Sequence, residues 1–197
     1  MKIGIYGGTF NPPHLGHLAA AKAAISILGL ERLYIVPASI PPHKELPQGT
    51  PAPEHRLAMA EKMVDALLMP GVVQLSEMEM NRKGKSYTAD TLEALHREYP
   101  GAELWLLMGT DMFLTLHRWH EPERILELAG ICAFGRTEQD GEEVFAPQRE
   151  YLQKTYPGAR ITTITLPGLV DVSSTRLREL LARGEGGAYL DPSVYGC

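Results

Sequence analysis

Cysteine is nearly absent from this chain. Cys132 and Cys197 are the only two in 197 residues, too few for a disulfide framework or a cysteine-rich zinc site, and a reducing, cytoplasmic setting is the expectation that follows. Long apolar runs are missing as well. No stretch approaches the about 18 consecutive apolar residues of a membrane span, and the opening "MKIGIYGGTF" lacks the apolar region and small-residue cleavage site of a secretory leader. An excess of positive charge is lacking too. Lys and Arg number 19 against 24 Asp and Glu, a formal charge of −5, so neither nucleic acid nor an anionic membrane is an expected partner, and an anionic ligand has to find local cations. No internal repeat or low-complexity tract interrupts the chain. A homo-oligomer is compatible with all of this.

What is present is alternation. Short β-rich runs at 2–7, 32–38, 72–78, 103–109, 131–136 and 160–166 alternate with stretches of helical period at 15–29, 54–69, 88–99, 121–129 and 174–183. Strands separated by helices imply right-handed crossovers. The predicted class is α/β: a doubly wound, Rossmann-like, mostly parallel sheet with helices on both faces. The length suits one domain, 1–197, with 170–197 as a C-terminal helical portion. Residues 38–53, with five prolines, and the polar stretch 137–146 are read as loops. In open α/β sheets ligands settle outside the carboxyl ends of the strands, where strand order reverses, so the loops after the strands are the places to look for chemistry.

The densest chemistry lies at 7–17, "GGTFNPPHLGH". Gly7 and Gly8 let the backbone turn and come close to a ligand, while Pro12 and Pro13 hold the loop extended and keep the helix from starting early. The helix begins near His14, and its unpaired amides and positive dipole end make an anion site. His14 and His17, three apart, can point to one side across the first turn; Gly16 between them leaves room for a flat base. The run is neither G-x-x-x-x-G-K-[ST] nor G-x-G-x-x-G, and two histidines without a further ligand suit no standard zinc spacing. A turn whose histidines merely cap and pack fits the same residues. Further on, "SSTRLR" at 173–178 opens a helical pattern whose hydroxyls can cap the helix, hold phosphate, or both. Asp111 in "GTD" follows a predicted strand, where it can accept from a ribose hydroxyl or cap the next helix.

"GGTFNPPHLGH" resembles the G-x-F-x-P-x-H-x-G-H signature of the nucleotidylyltransferase superfamily, and "SSTRLR" resembles its second signature, S-[ST]-T-x-x-R, about 160 residues later. "VPASIPPHKE", "EHRLAMAEKMV", "GKSYTADTLEAL", "LLMGTDMFLTLHRWHEPERIL" and "YLDPSVY" are similar to the bacterial nicotinate-mononucleotide adenylyltransferase family, so the resemblance runs over nearly the whole chain. It implies transfer of the adenylyl group of ATP to nicotinate mononucleotide, giving deamido-NAD and pyrophosphate by direct in-line attack, with catalysis by positioning and charge stabilisation. His14 and His17 would be the catalytic pair, facing the triphosphate as protonated donors. ATP would be held by Gly7, Gly8, Thr9, Phe10, Gly16, Gly109, Asp111, Ser173, Ser174, Thr175 and Arg178. The mononucleotide would be held by Lys44, Ser86, Tyr87, Thr88, Trp119 and Arg136, with Trp119 stacked on the pyridine ring. Magnesium would arrive with ATP, carried mostly by phosphate and water and with no protein metal ligand.

Plainer roles compete at several of these positions. Lys44 also fits a solvated loop lysine, Trp119 a core residue, Tyr87 and Thr88 a helix cap, and Arg176 competes with Arg178 for a phosphate. Thr137 follows Arg136 where the family often has proline. An adenylyltransferase for phosphopantetheine or another phosphate acceptor, and a nucleotide sensor without turnover, are the alternative functions. The blocks "PPHK", "SYTADTL" and "GTD…W" favour the nicotinate acceptor.

Overall fold

The apolar runs at 3–6, 33–36 and 104–108 are buried along their whole length, as strands covered on both faces must be. The computed structural model describes residues 1–40, 45–135, 137, 139–166 and 174–195. It places these runs in one sheet of six strands: β1 (Lys2–Gly8), β2 (Arg32–Pro37), β3 (Val73–Leu75), β4 (Glu103–Gly109), β5 (Ala129–Gly135) and β6 (Ile161–Thr165). Their order is β3-β2-β1-β4-β5-β6, and every neighbouring pair is parallel. The chain steps outward from β1 to β3, then returns to the other side of β1 for β4. Strand order therefore reverses between β1 and β4.

Eight helices are described: α1 (Leu15–Leu28), α2 (Pro53–Ala66), α3 (Thr88–Glu98), α4 (Thr110–Leu114), α5 (Pro122–Leu128), α6 (Glu142–Thr155), α7 (Ser174–Ala182) and α8 (Pro192–Tyr195). The two-residue period of the strands divides the core between the faces. Ile3, Ile5, Val36, Leu106 and Ile131 meet Leu92 and Leu95 of α3, Ile125 of α5 and Phe145 and Leu152 of α6. On the other face Tyr6, Leu33, Ile35, Leu107 and Phe134 meet Ala20, Ala21 and Ala24 of α1 and Ala60 and Met63 of α2. Small alanines let α1 lie close to the sheet, and the helix stops at Gly29 in the left-handed conformation that favours glycine (φ 65°). A third, small cluster of Leu177, Leu190 and Val194 packs the C-terminal helices against Met59 of α2. Among the described residues, no helix is long and apolar enough to cross a membrane.

The sheet is parallel throughout rather than mostly so, and the expected helices end within a few residues of the observed ones. One stretch differs. Residues 137–146 do not form a loop to their end, because α6 begins at Glu142 and continues through Pro147. Its polar sequence buries only Phe145 and Leu152, seven residues apart, which is a weak apolar stripe, and an internal proline ordinarily signals a break. β3 has three residues where seven were expected at 72–78, and β5 starts earlier, at Ala129.

Cys132, in β5, has no exposed surface, and burial pushes its thiol up to about 12. Since the thiolate is the reactive form, a Cys197→Ser variant is expected to resist a thiol reagent at pH 8 while folded and to yield one reactive thiol per chain after unfolding. Rapid labelling of the folded variant would show that the sheet opens at β5.

Candidate active site

The loop between β1 and α1 leaves the sheet at the reversal point and is buried from Phe10 to His14. Gly7 and Gly8 end the strand. A Cβ on Gly7 would meet only Val36 O at 3.8 Å, and one on Gly8 only the Phe10 ring at 3.6 Å, so the protein's own packing does not demand glycine at either position. Phe10 takes the left-handed conformation (φ 46°), which costs a non-glycine residue roughly 1–2 kcal/mol. Its ring is clamped edge-on between Tyr6 and His17, at centroid distances of 5.6 and 5.1 Å. The Phe10 side chain thus supports His17 from the core.

His14 and His17 cap α1 reciprocally. The Gly16 amide donates to His14 Nδ1 (3.1 Å), and the His14 amide donates to His17 Nδ1 (3.0 Å), in the manner of a capping box. The rings lie 3.8 Å apart. An Nδ1 that accepts a hydrogen bond carries no proton, so the bonding assigns the proton of each neutral ring to Nε2. This geometry does not suit the protonated rings expected from sequence, because an imidazolium would aim Nδ1–H at an amide N–H. Capping through Nδ1 is therefore compatible with a donor at Nε2 in the same side chain.

The C-terminal motif meets the same loop. Ser174 Oγ donates to Pro12 O (3.1 Å), Arg178 Nη1 to Asn11 O (2.6 Å) and Arg178 Nη2 to Thr175 Oγ1 (3.3 Å). Ser174 and Arg178 are thus brought onto the loop at Pro12 and Asn11, and Thr175 is tied to it through Arg178. Arg176 points elsewhere, its exposed guanidinium 3.2 Å from Glu179. Across the reversal, Gly109 occupies the cap position of α4 and Thr110 Oγ1 bonds Phe134 O (3.5 Å). Asp111 lies exposed in the first turn, so it is not the cap of that helix. Ser173, Lys44 and Arg136 lie outside the described residues.

The residues expected to hold the acceptor gather around the start of α3. Ser86 is buried and donates to Glu79 O (3.1 Å). Tyr87 holds the cap position with no side-chain capping bond, Thr88 is the first helical residue, and the Tyr87 ring lies 4.2 Å from that of His120. Trp119 is buried at 7 % exposure, and its indole N–H donates to Thr115 Oγ1 (3.2 Å). So enclosed, it offers little open face, and stacking a pyridine ring on it requires neighbouring side chains to move. Arg124 fastens α5, which follows Trp119, to α3 through Nε and Nη2 on Glu93 Oε2 (2.9 and 2.6 Å). That guanidinium holds the Glu93 carboxyl below the usual range.

Four residues of this region were not singled out from sequence: Asn11, Arg56, Glu79 and His120. Arg56 had a visible signal. With Ala60, Met63 and Leu67, all buried, it stands at spacings of four, seven and eleven on the apolar stripe of α2, where a charge is out of place. Glu79 and His120 had none, because their partners come from the fold.

A family model described as "Cytidylyltransferase-like" matches residues 5–180. A protein of Exiguobacterium sibiricum with the name "Probable nicotinate-nucleotide adenylyltransferase" is 36% identical over 98% of this chain and 92% of its own length. One of the same name from Trichlorobacter lovleyi is 37% identical over 98% and 93%. The chain belongs to the nicotinate-nucleotide adenylyltransferase family. The fold agrees: the Plasmodium falciparum nicotinic acid mononucleotide adenylyltransferase complexed with NaAD superposes with a TM-score of 0.79 at 18% identity, covering 99% of this chain and 93% of that one. The described parts of "GGTFNPPHLGH" and "SSTRLR" are hydrogen-bonded to each other at the reversal point.

Glu79 is tied to the start of α3 through Ser86 and Thr91. Its carboxyl is buried, accepts from Thr91 Oγ1 (2.8 Å), and Arg82 Nη1 donates to the same hydroxyl (2.8 Å). Burial raises its pKa, against the opposing effects of the Thr91 bond and the Arg82 charge. The folded chain then holds this proton more tightly than the unfolded chain. Stability from this group is greatest below the ordinary carboxylate pKa and declines as pH rises through the window up to the raised value. Denaturant unfolding from pH 4 to 8 is expected to show that decline in the wild type and a flatter profile in Glu79→Gln; parallel profiles would place the pH dependence elsewhere.

Proposed function

We propose that this chain transfers the adenylyl group of ATP to nicotinate mononucleotide, forming deamido-NAD and pyrophosphate. The observation that carries the reading is the pair of reciprocally capped histidines at the start of α1, at the strand-order reversal, with the second signature helix hydrogen-bonded to the same loop. A phosphate oxygen of the mononucleotide attacks the α-phosphorus of ATP in line. One P–O bond forms as the bond to the β-phosphate breaks, and pyrophosphate leaves with the electron pair. No protein nucleophile is required.

The chain's own groups position and stabilise. His14 and His17 donate from Nε2 to the reacting phosphates, and the first amides of α1 add the positive end of the helix. Ser174, Thr175 and Arg178 hold the distal phosphates; a guanidinium has five N–H donors, enough to serve the loop carbonyl and a phosphate together. Gly7, Gly8, Thr9 and Gly16 allow close approach of the nucleotide, Phe10 steadies His17, and Gly109 and Asp111 face the ribose. Ser86, Tyr87, Thr88 and Trp119 form the acceptor pocket, and Lys44, Arg136 and Ser173 complete the phosphate contacts. Among the described residues no three His, Cys, Asp or Glu side chains gather to hold a metal, and magnesium enters with ATP as part of the substrate.

Pyrophosphate release from ATP and magnesium is the test, with nicotinate mononucleotide, nicotinamide mononucleotide and phosphopantetheine offered separately. Turnover is expected with the nicotinate acceptor, and His17→Ala is expected to lower kcat by about 10²–10³. A thermal melt checks that the lost cap, worth about 1 kcal/mol, leaves the variant folded. Turnover with phosphopantetheine alone would overturn the acceptor, and turnover unchanged in His17→Ala would remove the histidine from the mechanism.

A further inference from the structure

Among the described residues Arg56 alone of the Asp, Glu, Lys and Arg side chains has no exposed surface. Its guanidinium donates to four backbone carbonyls: Ala38 (2.5 Å), Ser39 (2.8 Å), Thr9 (3.3 Å) and Pro51 (3.3 Å). These belong to the loop after β1 and to both ends of the arm that joins β2 to α2. We propose that Arg56 is a positioning residue for the acceptor side of the active site, fixing that arm against the phosphate loop.

Packing alone does not account for an arginine here. Its neighbours on the stripe, Ala60, Met63 and Leu67, are apolar, and a leucine or methionine would fill the position without the cost of burying a charge. Among the described residues no carboxylate forms an ion pair with Arg56. What surrounds the charge is carbonyl oxygen. The arm supplies an excess of it, since five of residues 38–53 are prolines and have no N–H to donate. A planar fork meets several carbonyls in fixed directions, which the single ammonium of lysine does not.

Two further bonds run parallel to the clasp. The Ala38 amide donates to Gly8 O (2.8 Å), and Asn11 Nδ2 donates to Thr50 Oγ1 (3.2 Å). Arm and phosphate loop are therefore joined at three places, of which Arg56 is the most deeply buried and reaches both ends of the arm. Three of its four acceptors lie in the arm, whose sequence carries Lys44, proposed above as a mononucleotide phosphate ligand, so on that reading its loss disturbs the acceptor side more than the nucleotide side.

The kinetic arm of the test rests on the proposed adenylyl transfer; an exchange arm does not. Full-length Arg56→Met and Arg56→Lys are compared with the wild type. In the absence of substrate, amide hydrogen exchange is expected to rise in peptides covering 38–52 and to stay unchanged in β4 and β5. In steady state, Arg56→Met is expected to raise KM for nicotinate mononucleotide about tenfold or more while KM for ATP moves less than about threefold, and Arg56→Lys to recover part of the loss. If Arg56→Met does not fold, Arg56→Lys alone decides, with a rise of about threefold or more in the acceptor KM expected. A folded variant with wild-type exchange over 38–52 overturns the proposal, as does a fall in kcat with both KM values unchanged. A wild type inactive on nicotinate mononucleotide would refute the reaction, and exchange would still decide the clasp.

Discussion

The reversal of strand order between β1 and β4 is the constraint from which the rest follows. A parallel sheet sends all its carboxyl ends to one side, and where successive crossovers leave in opposite directions the loops part and leave a crevice. Here β1 delivers "GGTFNPPH" to one wall of that crevice and β4 delivers "GTD" to the other. Helix α1 must start at this point because its alanine face packs back onto the sheet. At that start the His17 and Leu18 amides donate to His14 O, and the Gly16 and His14 amides donate to the Nδ1 atoms of His14 and His17.

A short stretch of this loop then gathers distant parts of the chain. Asn11 accepts from Arg178 at its carbonyl and donates from its side chain to Thr50, while Pro12 accepts from Ser174. The contacts span up to 167 residues of sequence, so the proposed phosphate site exists only when the whole fold does. Ordering such segments costs conformational entropy. The bonds meet that cost at folding rather than at substrate binding, which is what preorganisation means for a reaction catalysed by position.

The sequence carried the parts whose cause is local. Continuous apolar runs mark buried parallel strands, and the histidine at 14 marks the start of α1, whereas the glycine at 29, included in the expected helix, ends it through a left-handed conformation that only the structure shows. "GGTFNPPHLGH" and "SSTRLR" pointed to the crevice because their residue types suit both a phosphate and a helix terminus. What stayed hidden has a tertiary cause. Helix α6 has two buried residues and an internal proline, so its period is faint and its stability comes from the sheet it covers. The orientation of Nδ1, which makes both histidines neutral donors, depends on amides that exist only once the helix has formed. Trp119 is legible as an aromatic but not as an enclosed one, since Thr115 and the core around it decide how much of its face is open. Arg56 was legible only as an anomaly: the stripe showed a charge in an apolar row, and the carbonyls that explain it come from three separate loop stretches.

Electrostatics of the loop explain why two arginines and a serine turn toward carbonyls in a site proposed to take anions. A peptide presents its N–H and its C=O on opposite sides, but a peptide that precedes proline has no N–H, so its oxygen is an uncompensated negative end. The Asn11–Pro12 and Pro12–Pro13 peptides are of this kind. Left unpaired beside a triphosphate, those oxygens would repel it and would also stand buried without a donor. Arg178 takes the first and Ser174 the second, while Arg56 takes Thr9 O just upstream. The prolines that shape the loop thereby create the need for the C-terminal motif: rigidity at 12 and 13 removes two amides, and the helix at 174 supplies the donors that the loop can no longer provide for itself. Cations committed to the protein are in this way part of how the proposed site would tolerate a triphosphate.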